Sequence, residues 1–285
     1  KQRPFDITKY NQRPIALKIA YLGWNYYGYA AQEGENVETI ESHLFKALDT
    51  AKLIKDRESC RYNRCGRTDK GVSAFCQIVS LCVRSNLPAN GEDTEELAYC
   101  TILNRLLPPD IRIISWSPVD KNFNARFHCT YRTYKYFFPA QRLDIPLMQK
   151  AAKKLIGVHD FRNFYPDRLN DEYLKRHPLH QQQQNHSYSN HPEEEEPYDM
   201  EKSSPFKMYI FEVCGKAFLW HQVRFFMGIL FLIGRHLEEP DIIDTLLDLS
   251  QHDGGKLGRP SYDLADEFPL VLVDTGYPEG TFQWR

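Results

Sequence analysis

The chain has 285 residues, of which 42% are hydrophobic and 13% aromatic, with a formal net charge of −2. That length and composition fit a globular protein with a substantial core, built as one large domain or two small ones. A net charge this close to neutral excludes a uniformly basic nucleic-acid binder, but residues 1–166 carry 25 Lys+Arg against 17 Asp+Glu and the remainder 11 against 21, so a basic first part leaves room for a local phosphate-binding surface.

Ile15, Leu17, Ile19 and Tyr21 alternate with Ala16, Lys18 and Ala20 and predict a first strand. Ile40, Leu44, Leu48 and Ala51 recur at helical spacing and predict an amphipathic helix over 38–53. A charged turn follows, then a strand over about 72–83. Leu97–Leu107 reads as a helix stopped by Pro108-Pro109, which cannot continue it. Ile111–Pro118 and Tyr134–Pro139 read as strands. Met148, Ala151, Ala152 and Leu155 mark a helix, and residues 208–213 alternate like a strand. A buried helix over 221–236 and another over 239–249 complete the pattern. The apolar stretch Phe218–Ile233 is short for a bilayer span and contains His221 and Arg224, which favours a buried helix over a membrane helix. Strands and helices interleave without a regular parallel rhythm, which predicts an α+β fold with a mixed sheet and helices packed on it.

Residues 167–205 interrupt this pattern. They hold Gln181–Gln184, histidines at 177, 180, 186 and 191, and Glu193–Glu196, with very few aliphatics. Such a segment buries too little apolar area to offset its ordering entropy, so it reads as a disordered, solvated insert; a His-rich tract also has the option of binding metal. Seven cysteines (60, 65, 76, 82, 100, 129 and 214) show neither C-x-x-C pairing nor zinc-finger spacing. They predict free thiols in a reducing compartment, the nucleus or the cytoplasm. There is no visible secretory signal. KQRPFDITKY reads as the start of a fragment, so a targeting sequence would lie upstream.

The most informative stretch is Arg64-Cys65-Gly66-Arg67-Thr68-Asp69-Lys70-Gly71-Val72. It sets one carboxylate among three cations, with two glycines that let the backbone turn tightly and approach a ligand. A carboxylate is already ionised at neutral pH and needs no activation to attack carbon. Guanidinium neighbours hold it ionised and can bind phosphate. A salt-bridged surface turn is the plainer reading of the same residues.

The wording CGRTDKGVSAFCQIVSL (65–81) resembles the catalytic segment of the tRNA pseudouridine synthases that modify the anticodon stem-loop. LNRLLPPDIRI (103–113), FNARFHCTYRTYKYFF (123–138), GVHDFRNF (157–164), AFLWHQVRFFMGILFLIG (217–234) and LADEFPLVL (264–272) match the same family in the same order. The resemblance is strongest to the eukaryotic branch acting at tRNA positions 38 and 39. It covers most of the chain outside residues 167–205, where relatives carry a further strand that this sequence does not show.

The resemblance implies two similar α+β halves whose mixed, mostly antiparallel sheets join, with an RNA cleft between them. The N-terminal half (1–140) would carry the Asp loop and the C-terminal half (141–285) the 217–227 segment. It implies an isomerisation that breaks the N1–C1′ bond of uridine, turns the base and rejoins it through C5, with no cofactor, metal or energy source. Asp69 becomes the nucleophile, attacking either uracil C6 or ribose C1′. Tyr134 stacks on the uracil and helps move the C5 proton. Arg224 keeps Asp69 ionised, where composition alone equally allows a structural ion pair or a snorkelling side chain. Arg67 enters the stem-loop as the base leaves the stack. Arg64, Lys70, Arg126, Arg132 and Lys135 become phosphate contacts, where solvated charges are the alternative, and His221 orients the cleft. The expected partners are tRNA and, by analogy with bacterial relatives, a second copy of the chain, with no membrane. The rival function is a catalytically inactive RNA-binding protein of the same fold.

Overall fold

The computed structural model describes residues 5–31, 37–87, 95–164, 183–186, 207–248 and 262–285. The chain divides into two compact units, residues 1–130 with 272–285 and residues 131–271. The α+β class is the one the sequence pattern predicts.

In the first unit, strand β1 (Asn11–Tyr21) lies between β3 (Ser73–Ser85) and β4 (Ile111–Pro118), antiparallel to both. The short β2 (Asn63–Arg64) adds to β3. Ile15, Leu17 and Ile19 of β1 and Leu44 and Leu48 of α1 (Ile40–Thr50) are fully buried, which is the alternation and the helical spacing of the sequence made solid. A capping box starts α1: Thr39 accepts from the Ser42 amide while Ser42 accepts from the Thr39 amide. The second helix, α2 (Tyr99–Asn104), ends before Pro108. The other face of β1 and β3 is covered too. Ala16, Cys65, Cys76, Ile78, Ala125 and Cys129 form a second buried cluster beneath Phe123, Tyr277 and Phe282.

That cover explains a boundary the sequence misplaced. The residues after 271 return to the first unit, where Arg285 and Trp116 exchange backbone hydrogen bonds (2.8 and 3.1 Å) and the Tyr277 hydroxyl donates to Ala125 O (2.7 Å). The first unit ends at Thr130 rather than at 140, because Tyr131 already opens a strand of the second unit.

In that second unit β5 (Tyr131–Pro139) pairs antiparallel with β8 (Met208–Gly215). Helix α3 (Ile145–Lys153) starts at Asp144, whose carboxylate caps the Leu147 amide. The apolar helix α4 (Gln222–Gly234) buries Phe225, Phe226, Met227, Ile229, Leu230 and Ile233. Phe161 and Phe164 meet the Phe226 ring at 5.3 and 5.0 Å between centroids. The short α5 (Ile242–Leu247) is tied to α3 through Lys154 and the carboxylates of Asp241 and Asp244. Strand β9 (Leu270–Gly276) carries the chain across the unit boundary.

The strand that sequence reading did not find is present. Gln183–His186 forms β7, antiparallel to β6 (Gly157–His159) on one side and to β8 on the other. A strand written Gln-Gln-Asn-His has no apolar alternation to detect; the two neighbouring backbones supply its hydrogen bonds. The disordered-insert reading of 167–205 therefore fails at 183–186, and the rest of that segment, with its other histidines, lies outside the described residues. None of the seven cysteines is held in a disulfide. Among the described residues no helix is long and apolar enough to cross a membrane.

Candidate active site

The Asp69 turn leaves β2 at Arg64 and enters β3 at Ser73. Its entrance is clamped to β3: the Cys65 amide donates to Ile78 O (2.8 Å) and Gln77 Nε2 to Gly66 O (3.0 Å). The turn itself is closed by the Val72 amide donating to Asp69 O (3.2 Å). Gly71 takes φ +79°, in the left-handed region that favours glycine.

A second segment, residues 23–31, backs the turn. The Tyr29 amide donates to Thr68 O (3.1 Å), the Gly71 amide to Tyr26 O (3.2 Å), and the Tyr21 hydroxyl lies 2.8 Å from Thr68 Oγ1. The approach is close enough to require glycine: a Cβ on Gly23 would sit 2.0 Å from Val72 O. Thr68 is thereby buried as an anchor, Asp69 is half-buried, and Arg67 and Lys70 are exposed. The turn is a rigid backbone that presents one partly shielded carboxylate between two outward cations. Behind it, the Tyr29 and Tyr62 hydroxyls pair at 2.7 Å. Burial pushes the Tyr29 hydroxyl well above the ordinary tyrosine range, so it stays neutral.

Arg64 has a different place from the one its position in the motif suggests. Its guanidinium donates to Oε1 of Glu41 (2.5 Å), a side chain with no exposed surface. Oε2 of the same carboxylate accepts from Arg57 (2.7 Å) and from the Ala31 amide (2.9 Å). Glu41 thus joins α1, the backing segment and the start of the turn through one buried anion. Sequence reading missed it, although a signal existed: residue 41 falls beside Ile40 and Leu44 on the apolar face of α1, where a carboxylate needs a cation. Arg126, exposed, lies 5.6 Å from the centroid of the exposed ring of Phe127.

The second unit holds the remaining predicted residues. Tyr134 is buried on β5, edge-on to Phe218 at 5.2 Å. Arg132 donates to Lys216 O and Lys135 pairs with Glu212 at 3.1 Å. Arg224, in the first turn of α4, is 11% exposed; it donates to Ala265 O (2.7 Å) and to Glu267 (2.8 Å). The LADEF segment is therefore the support of this arginine. His221 precedes α4 with φ +62°, and Trp220 lies over its ring at 4.0 Å. Burial, and then the Arg224 charge, hold His221 down at about 4, so it is neutral at physiological pH.

Comparison with known proteins adds to this geometry. A family profile described as tRNA pseudouridine synthase matches residues 151–278. The tRNA pseudouridine(38/39) synthase of Homo sapiens is 46% identical over 288 residues, covering 96% of this chain and 57% of that protein. The Saccharomyces cerevisiae protein of the same name is 40% identical over 293 residues, covering 99% of this chain and 61% of its own length. The tRNA pseudouridine synthase A of Methanosarcina mazei is 32% identical over 265 residues, covering 93% of this chain and 85% of that protein. The chain thus spans less than two thirds of the human and yeast relatives.

Proposed function

Because this chain belongs to the tRNA pseudouridine synthase family, we propose that it isomerises uridine to pseudouridine in the anticodon stem-loop of tRNA, at positions 38 and 39. The observation that carries the reading is the Asp69 turn: a half-buried carboxylate on a backbone locked from both sides, flanked by exposed Arg67 and Lys70. Fixed geometry matters because a nucleophile held in a near-attack position avoids the entropy of finding it.

Asp69 attacks the uridine. Arg67, exposed beside it, fills the place of the extruded base. Tyr134 offers its ring to the uracil and a hydroxyl for the C5 proton. Arg224 supplies positive charge for the reacting carboxylate, and neutral His221 keeps the start of α4 in place. Lys70, Arg126, Arg132 and Lys135 contact phosphates. Arg64 supports the turn through Glu41. The protein acts in the nucleus or cytoplasm, as a homodimer.

The test is pseudouridine-specific chemical labelling of tRNA after incubation with the full chain and with Asp69→Asn. The expected result is labelling at 38 and 39 by the wild type and none by the variant, with tRNA affinity changed less than about tenfold, since Asn keeps the shape and loses the nucleophile. Tight tRNA binding without labelling by the wild type would instead identify an inactive RNA-binding protein.

A further inference from the structure

The tyrosines of the backing segment divide their work unequally. Tyr26 is buried and donates to Asp110 (2.6 Å); Tyr29 is buried and pairs with Tyr62. Tyr27, between them, is 50% exposed. Its backbone is as firmly held as theirs: its amide donates to Glu38 O (2.8 Å), and the bonds of Tyr26 and Tyr29 to Gly71 and Thr68 bracket it. Gly28, at φ +92°, lies so close to the turn that a Cβ there would be 3.0 Å from Thr68 O and 3.3 Å from Lys70 N. The ammonium of Lys70, the residue after Asp69, sits 4.5 Å from the centroid of the Tyr27 ring. A half-exposed aromatic ring and a cation are therefore mounted on two segments bonded to each other, the cation on the residue next to the carboxylate.

Burial does not explain that ring, and a solvated tyrosine needs no such backbone support. Aromatic faces beside a basic group are what single-stranded nucleic acid uses: the ring stacks on a base and the cation takes its phosphate. Extruding a uridine strips the neighbouring base of one stacking partner, and a ring fixed beside the nucleophile can replace it. We propose that Tyr27 is a stacking platform for the nucleotide flanking the target uridine, with Lys70 taking that nucleotide's phosphate. The inference rests on the pseudouridine synthase reading of the Asp69 turn. Because every base has a π face, such a platform accepts any base at the flanking position but needs a base to be there. It fits a broad choice of tRNA with a strict choice of geometry.

The experiment uses the full chain and anticodon stem-loop RNA in which the nucleotide on each side of the target is replaced in turn by an abasic residue or by 2-aminopurine. Tyr27→Ala should lower kcat/KM about tenfold or more, corresponding to one lost stacking contact. Tyr27→Trp and Tyr27→Phe, which restore a ring, should lose far less than the alanine. The abasic RNA should cost the wild type a similar factor, and Tyr27→Ala with abasic RNA should cost little more than either change alone, since both remove the same contact. Binding should quench 2-aminopurine at one flanking position in the wild type and not in Tyr27→Ala.

Losses that multiply, or a quench that survives Tyr27→Ala, overturn the platform. Pseudouridine formation by Tyr27→Ala equal to wild type overturns it as well. Failure of the wild type to form any pseudouridine overturns the enzymatic reading instead, and the quench then still decides whether Tyr27 stacks on a base. Thermal melting of each variant separates a misfolded protein from a lost contact.

Discussion

Each unit fixes its candidate site residue with a buried ion pair, and the two pairs are built the other way round. In the first unit a single fully buried carboxylate, Glu41, is held by two arginines and an amide. In the second a single nearly buried arginine, Arg224, is held by one partly exposed carboxylate and a carbonyl. An anion with every oxygen satisfied has nowhere else to go, so Glu41 makes the start of the Asp69 turn a fixed piece of architecture. Glu267 retains contact with solvent, so Arg224 is anchored by a partner that water can also serve. The first arrangement freezes backbone; the second orients a charge at a helix start. The sequence alternatives for Arg224, catalytic cation or structural pair, come down to this difference.

The largest effect should come from Glu41→Ala. Removing the anion leaves part-buried Arg64 and half-exposed Arg57 without their counter-charge, and breaking a buried pair from one side costs about 3–5 kcal/mol. Urea unfolding of the variant measures it; a loss under about 1 kcal/mol would show that Arg57 and Arg64 simply turn to solvent. Glu41→Gln, which keeps the volume, should lose less stability while still slowing turnover, because the turn loses its clamp.

Arg224→Met comes next and separates the two roles. If the arginine serves chemistry, single-turnover pseudouridine formation at saturating tRNA collapses, and adding Glu267→Gln restores melting temperature without restoring rate. Recovery of both in the double variant would make Arg224 a structural residue. Arg224→Lys should fall between wild type and Met, since it keeps charge and loses the fork that reaches Ala265 and Glu267 together.

A smaller effect follows from His221. Its folded value of about 4 lies below the ordinary 6.5, so in the unfolded chain it takes up a proton that the folded protein refuses. Its contribution to stability is whole above about pH 6.5 and is lost progressively as pH falls toward 4. Melting temperature measured from pH 7.5 to 4.5 should therefore drop less steeply in His221→Asn than in wild type. Equal slopes would show that the ring is hydrated and charged in the folded state.

The smallest stability change belongs to Lys135→Ala. The pair with Glu212 is part-exposed and worth about 0–1 kcal/mol to folding. If Lys135 meets a phosphate, the variant should nevertheless reduce the salt dependence of tRNA binding by about one unit of slope. A thermal shift without a change in slope would confine it to the intramolecular pair.

How far the sequence could be read follows from the range of each interaction. Ile15, Leu17 and Ile19, or Leu44 and Leu48, announce a strand and a helix because apolar period is a local property. The Asp69 turn was legible because its glycines, cations and carboxylate are contiguous. Strand β7 was not, since a polar strand between β6 and β8 is made by its neighbours' backbones. The return of residues 272–285 to the first unit was not legible either, because the cover over Ala16 and Ile78 comes from the far end of the chain.

The chain's own order of residues settled the secondary-structure rhythm and the grouping of charges and glycines at 64–72, both of which depend on neighbours a few positions away. It could not say which charges in that motif are spent internally. Arg64 and Lys70 are both cations within one nine-residue stretch, yet one is tied to buried Glu41, 23 positions earlier, and the other lies over the open ring of Tyr27. Ion pairs and ring contacts form through space, and their partners come from wherever folding brings the backbone. That is why folding, and not the motif, separates the arginine that holds the turn from the lysine left facing outward.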